Sequence, residues 1–201
     1  MRTRLIPFAA VVALTAGAWT TATAQAGGHR PATATGDVAT TKATPAPALD
    51  DPTIVAIFDA ANTADIETGQ LAAKRGSTKA VREFGAMLAR DHTAVRQQGR
   101  DLAKKLGVTP TPPADSSAAV AHAKAMRMLR SKRGAAFDRA FLDHEVQYHQ
   151  AVIDAVQSTL LPSIQNAEVK ALVVKVAPAF VAHRDMAANL RQKEGVQKAG
   201  N

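Results

Sequence analysis

Six ionisable residues of the metal-ligating or acid–base type interrupt apolar helical stripes in this chain: Glu67, the pair Asp91-His92, Glu145 with His149, and His183. An apolar residue would fill each inward position at lower cost, because a buried charge or imidazole needs a partner to offset its desolvation. Such a group on each of four helices requires an explanation. Imidazole nitrogen and carboxylate oxygen are suitable ligands for Zn, Cu, Ni, Fe or Mn. One reading is therefore a transition-metal site drawn from Glu67, Asp91, His92, Glu145, His149 and His183. Glu145 and His149 share one helix face at i and i+4, as a helix-borne clamp requires. The other reading is a polar network in which Asp91 and Glu67 bond to His149, His183 or Tyr148 and fix helix register without binding anything.

Several chemistries are excluded by what the chain lacks. It has no cysteine, which removes thiolate ligands, disulfides and redox thiols. It has no Glu-x-x-His, the motif that two helices of a di-iron carboxylate bundle supply, and Glu145-Val-Gln-Tyr-His149 has the wrong step. A mononuclear site is the expected variant. No Gly-x-Ser-x-Gly elbow, phosphate-binding loop, dinucleotide fingerprint or His-Glu-x-x-His occurs, so no residue is assigned a catalytic role. His122 and His144 are expected to face solvent or a helix flank, and His29 to be solvated.

The elements that must position these residues are helices. Asp51-Pro52 opens the first, which runs to about Lys74 with Ile54, Ile57, Phe58, Ala61, Ala64, Glu67 and Leu71 inward, and Gly76 ends it. Ser77 is a natural cap for a second helix, Thr78 to Leu106, whose seam is Val81, Phe84, Leu88, Asp91, Val95, Gln98, Leu102 and Leu106. Gly107 and a proline-rich turn over residues 109–113 follow. Asp115 or Ser116 caps an added helix carrying Met126, Met128 and several basic residues, closing at Gly134. Its apolar side suits core packing better than a membrane surface. A third long helix spans about Ala135 to Leu160 and is broken at Leu161-Pro162. A fourth begins near Ser163, is kinked or restarted at Pro178, and ends in a frayed polar tail over 195–201. No segment alternates as a strand would. The expected fold is all-α: a ferritin-like up-and-down four-helix bundle over 51–194, with an additional helical segment between helices two and three. In such a bundle His92 and His149 come out level, with Glu67 nearer the turns and His183 deeper by roughly 8 to 10 Å at 1.5 Å per residue.

The ends of the chain bear on location. Arg2 and Arg4, an apolar run from Leu5 to about Ala18 and the small-x-small site Ala24-Gln25-Ala26 predict a secretory signal over 1–26. Residues 27–50, rich in Ala, Thr, Pro and Gly, read as a disordered linker. No later stretch approaches the ~20 apolar residues of a spanning helix, so a periplasmic or outer-membrane-associated location is expected. The formal charge of +8 falls to +6 without Arg2 and Arg4, a diffuse positive field suited to an anionic envelope partner. Nucleic acid is not expected, since base-stacking aromatics are missing.

A family resemblance follows from particular residues. These are Phe58, Glu67-x-x-x-Leu71-Ala72, Val81-x-x-Phe84 with Met87, Asp91-His92 and Leu106-Gly107-Val108-x-Pro110. Further along come Gly134-x-x-Phe137-Asp138-x-x-Phe141, His149 and Pro178-x-x-x-x-His183. Over about Asp51 to Leu190 the chain resembles the bacterial family known as domain of unknown function 4142. The resemblance implies an exported, envelope-associated bundle of the ferritin-like kind with no settled activity. Phe141 stands where the family often has Tyr, and Ala177-Pro178 where it often has Leu-Pro.

Overall fold

The computed structural model describes residues 49–199, so the signal segment and nearly all of the linker lie outside the described residues. The chain is all-helical there, with no strand among the described residues. Its elements are α1 (Asp51–Arg75), α2 (Lys79–Leu106), α3 (Ser117–Arg130), α4 (Gly134–Ala155), a π-helical turn (Val156–Leu160), a short α5 (Leu161–Ser163) and α6 (Ala167–Ala199). The backbone of α6 thus stays helical past Glu194, through most of the expected tail. None of these helices is long and apolar enough to cross a membrane.

Local chemistry sets the boundaries. Asp50 caps α1 by accepting from Thr53 N at 2.9 Å, and Pro52 sits in the first turn, where its missing N–H costs nothing. Thr78, rather than Ser77, caps α2 by accepting from Val81 N. Ser77 instead ties the α1–α2 turn to α4, since its N and Oγ, with Thr78 N, donate to the buried carboxylate of Asp138 at 2.8, 2.6 and 3.0 Å. Gly107 closes α2 at φ 66, in the left-handed region that favours glycine. Pro162 does not break the third long helix where expected. The Leu161 N–H bonds back to Val156 O, so the turn before the proline widens, Pro162 enters a further helical turn, and the chain becomes extended only at Ile164.

The course of the long helices corrects the strict up-and-down order. The Asp51 carboxylate accepts from Gln165 N at 3.0 Å and Asn166 N at 2.8 Å, which puts the starts of α1 and α6 at one end. Thr111 N donates to Pro52 O there too, so α2 also finishes at that end. The Ser77–Asp138 contact puts the start of α4 beside the α1–α2 turn, at the other. Helices α1 and α6 therefore run one way and α2 and α4 the other. The cause is the long connection containing α3, which carries the chain back along the bundle before α4 begins.

Helices α1 and α2 approach closely because glycine faces them. A Cβ on Gly69 would lie 2.7 Å from Gly85 O, and one on Gly85 would lie 2.7 Å from the Ala72 methyl. The apolar interior is in two parts. One, toward the start of α1, contains Ile54, Phe58, Val152, Val173 and Phe180, while the other contains Val81, Leu88, Phe137, Phe141 and Ala187. Along each long helix the buried polar residues of the site fall near where these two clusters meet.

Candidate metal centre

The reversed direction of α4 brings the polar residues to one level. At about 1.5 Å per residue, Asp65 and His183 lie roughly 21 and 24 Å from the starts of the parallel helices α1 and α6. His92 and His149 lie roughly 20 and 22 Å from the starts of α2 and α4 on the same rise. The imidazoles of His92, His149 and His183 form a triangle with ring centroids 5.6, 5.1 and 5.4 Å apart. Each offers one nitrogen to a common space, these atoms lying within 4.8 Å of one another, and Asp65, Glu145 and His149 form a second such group. All five side chains are buried. A cavity of about 30 Å³ touches Asn62, Asp65 and His92, space for a single water-sized ligand.

The hydrogen bonds around the triangle decide which nitrogens face inward. Asn62 Nδ2 donates to Phe58 O at 2.8 Å, which fixes its amide and leaves Oδ1 toward His92 Nδ1 at 2.9 Å. That oxygen only accepts, so Nδ1 carries the hydrogen and neutral His92 keeps its lone pair on Nε2. His149 Nδ1 donates to Glu145 O at 3.0 Å, with Glu145 Oε2 at 3.4 Å, which directs Nε2 the other way. His183 Nε2 stands 3.4 Å from Asp91 Oδ2 while its Nδ1 lies 3.2 Å from His92 Nε2. Each imidazole thus has an oxygen acceptor behind it and its other nitrogen turned inward, the second-sphere pattern of histidines that hold metals. Nitrogens on one tetrahedral zinc stand about 3.3 Å apart, so the His92–His183 pair already has ligand spacing.

The site is electrostatically divided. Burial, and then the neighbouring His149 and His183, pushes His92 down to about 2, and burial with His149 lowers His183. Burial also opposes charge on His149, but the Asp65 carboxyl and then Glu145 outweigh it and raise that imidazole to about 9. Asp65 is raised well above the usual carboxylate range by burial, with His149 pulling against it. Glu145 is held low despite its burial by its contact with His149. Asp65 Oδ1, both Glu145 oxygens and His149 Nε2 have no hydrogen-bond partner within the protein, although Asp65 Oδ1 and His149 Nε2 are only 4.0 Å apart. Four orphaned atoms in one buried layer are unusual, since such groups are normally satisfied. A divalent cation suits this donor set, because it satisfies lone pairs of both kinds and replaces the proton that Asp65 and Glu145 draw onto His149.

The sequence residues divide accordingly. His92, Glu145, His149 and His183 are brought together. Asp91 is half-buried, bonds Arg90 and reaches the cluster only as the partner behind His183. Glu67 faces away: it is exposed and lies 2.8 Å from His122 Nε2, so both residues belong to the α1–α3 face. Asp65 and Asn62 went unassigned in the sequence. Their signal was the stripe Phe58, Asn62, Asp65, Gly69, Ala72, at alternating steps of four and three, in which polar residues replace apolar ones.

Fold and site together define an all-helical protein with a buried histidine–carboxylate layer between two apolar clusters. The family model described as a domain of unknown function, DUF4142, matches residues 36–190, and the chain belongs to that family. No curated protein and no solved structure matches the chain.

Proposed function

We infer that this protein is an exported helical bundle of the ferritin-like kind that holds one divalent transition-metal ion, and that it serves metal handling or stress tolerance in the cell envelope. His92, His149 and His183 supply nitrogens, and Asp65 supplies a carboxylate oxygen. Asn62, the Glu145 backbone carbonyl and Asp91 hold the imidazoles from behind. The observation that carries this reading is that all three imidazoles have an acceptor on the outer nitrogen and converge on the inner one. The paired directions of α1 with α6 and α2 with α4, and the long crossover, support the ferritin-like assignment. The basic n-region and apolar run at the chain start support export. Nitrogen-rich donor sets favour late first-row ions, so Cu, Zn and Ni rank above Fe and Mn. A bound ion would supply Lewis acidity.

Elemental analysis of the purified chain, paired with thermal melts in the presence of each metal, tests this. Close to one ion per chain is expected, with stabilisation of about 2.7 kcal/mol at a hundredfold excess over Kd. His92→Ala and His183→Ala should each remove the shift. A shift that survives both substitutions places the metal elsewhere and overturns the reading.

A second reading has an observation of its own. His149, raised to about 9 between Asp65 and Glu145, can act as a buried imidazolium that locks helix register. The protein would then be a non-enzymatic envelope scaffold whose basic surface meets an anionic partner. Salt-sensitive retention on envelope fractions, without any metal response, is its expected mark.

A further inference from the structure

A cleft of about 440 Å³ lies between α1 and the chain leading into and through the first turns of α3. Its size is that of a small-molecule site. Its walls are mainly apolar, built from Ile57, Ala60, Ala61, Ala64, Ala118 and Tyr148. The alanines contribute to it: side chains this short on both α1 and α3 leave the space between the two helices unfilled.

The polar groups at its edge are nearly all engaged. Asp59 pairs with Arg100, Thr63 Oγ1 donates to Asp59 O, and Asp115 accepts from Ser117 N and Oγ. His122 is the exception. Its Nε2 lies 2.8 Å from Glu67 Oε2, which only accepts, so in the neutral imidazole the hydrogen is on Nε2. That leaves Nδ1 with its lone pair, shielded from water and without a hydrogen-bond partner in the protein. Glu67 and His122 therefore stand together as carboxylate and imidazole at the edge of an apolar cleft, with one unpaired acceptor covered behind the ring. A ligand donor would meet that acceptor only with the ring edge turned toward the cleft.

We propose that this cleft binds a small apolar molecule carrying a single hydrogen-bond donor, an alkylphenol or aryl alcohol in chemical class, with its hydroxyl on His122 Nδ1 and its hydrocarbon body against the alanines of α1 and α3. The cleft uses none of the cluster's ligand atoms, although Ile57 and Ala61 line both it and the small cavity beside His92.

The test is a titration of the full chain, with labelled alanine methyls, against 4-butylphenol and its methyl ether 4-butylanisole. Saturable shifts at Ala60, Ala61 and Ala118 are expected for both probes. The phenol should bind roughly fivefold tighter, as one neutral hydrogen bond allows. His122→Leu should abolish that preference while retaining binding of the ether. Ala118→Phe, at an exposed helical position that does not threaten folding, should abolish binding of both. Shifts elsewhere, no saturation at these methyls, or equal affinities unaffected by His122→Leu would overturn the proposal.

Discussion

At the scale of single residues, the cluster makes opposite demands on protons at neighbouring imidazoles. In the metal-free protein His149 is raised from its ordinary 6.5 to about 9, so the folded state holds a proton that the unfolded chain releases. Its contribution is present below pH 6.5 and is lost as pH rises through about 9, on the order of 3 kcal/mol at most. His92, lowered to about 2, and His183, also lowered, act in reverse. The unfolded chain binds protons they refuse, so their contribution is present above pH 6.5 and is lost as pH falls below it. Urea midpoints of the metal-free protein at pH 5, 6.5 and 9 should peak at the middle value, and a flat profile would refute this charge assignment. The four cluster residues found from sequence were legible because histidine and glutamate are conspicuous on an apolar stripe. Asp65 was not, because α1 is rich in alanine on two faces. Ala61 and Ala64 line the cleft beneath α3 while Asn62 and Asp65 face the bundle centre, and alanine marks neither face as the interior.

Helix by helix, the sequence was informative about existence and weak on direction. The Asp-Pro start and the closing glycines Gly76 and Gly107 placed the limits of α1 and α2 to within a residue, since they act through local backbone chemistry, while the cap of α2 fell on Thr78 and not on the expected Ser77. Apolar periodicity states which face of a helix is buried but not which way its neighbour runs. The orientation of α4 rests on distant contacts such as Ser77 with Asp138, which no local pattern announces. The expected depth mismatch between Glu67 and His183 arose from that orientation and from the choice of Glu67 over Asp65. The same distance dependence governs the Gly69–Gly85 crossing. A methyl on Gly85 would lie 2.7 Å from both Gly69 O and Ala73 N, backbone atoms that cannot turn aside, so α1 and α2 must separate. Gly85→Ala should cost about 1 to 3 kcal/mol of stability, as overpacking does. Gly107→Ala meets nothing within 4 Å and strains only its own φ of 66. A chemical denaturation midpoint for Gly85→Ala equal to wild type would show that the helices do not meet there.

Across the whole molecule, the buried polar layer separates two apolar clusters that could otherwise form one continuous core, and its presence needs a reason other than stability. Removing one member leaves its partners buried and unpaired, so His149→Leu should destabilise the metal-free protein by about 3 to 5 kcal/mol as the Asp65 and Glu145 carboxyls lose the imidazole between them. Replacing the group together reverses the sign. With Asp65→Val, Glu145→Leu and His149→Leu combined, no charge is stranded, the four orphaned atoms are gone, and the two clusters join. Buried ionic groups exchanged for apolar ones of similar volume leave stability unchanged or raise it by about 1 to 4 kcal/mol. The triple variant should therefore be at least as stable as the metal-free wild type and should lose all response to metal. Guanidinium unfolding of the single and triple variants, with and without zinc or copper, separates the two roles. If the triple variant is less stable than His149→Leu alone, the layer exists to hold the helices in register. If it is more stable and metal-blind, the layer is retained for what it binds.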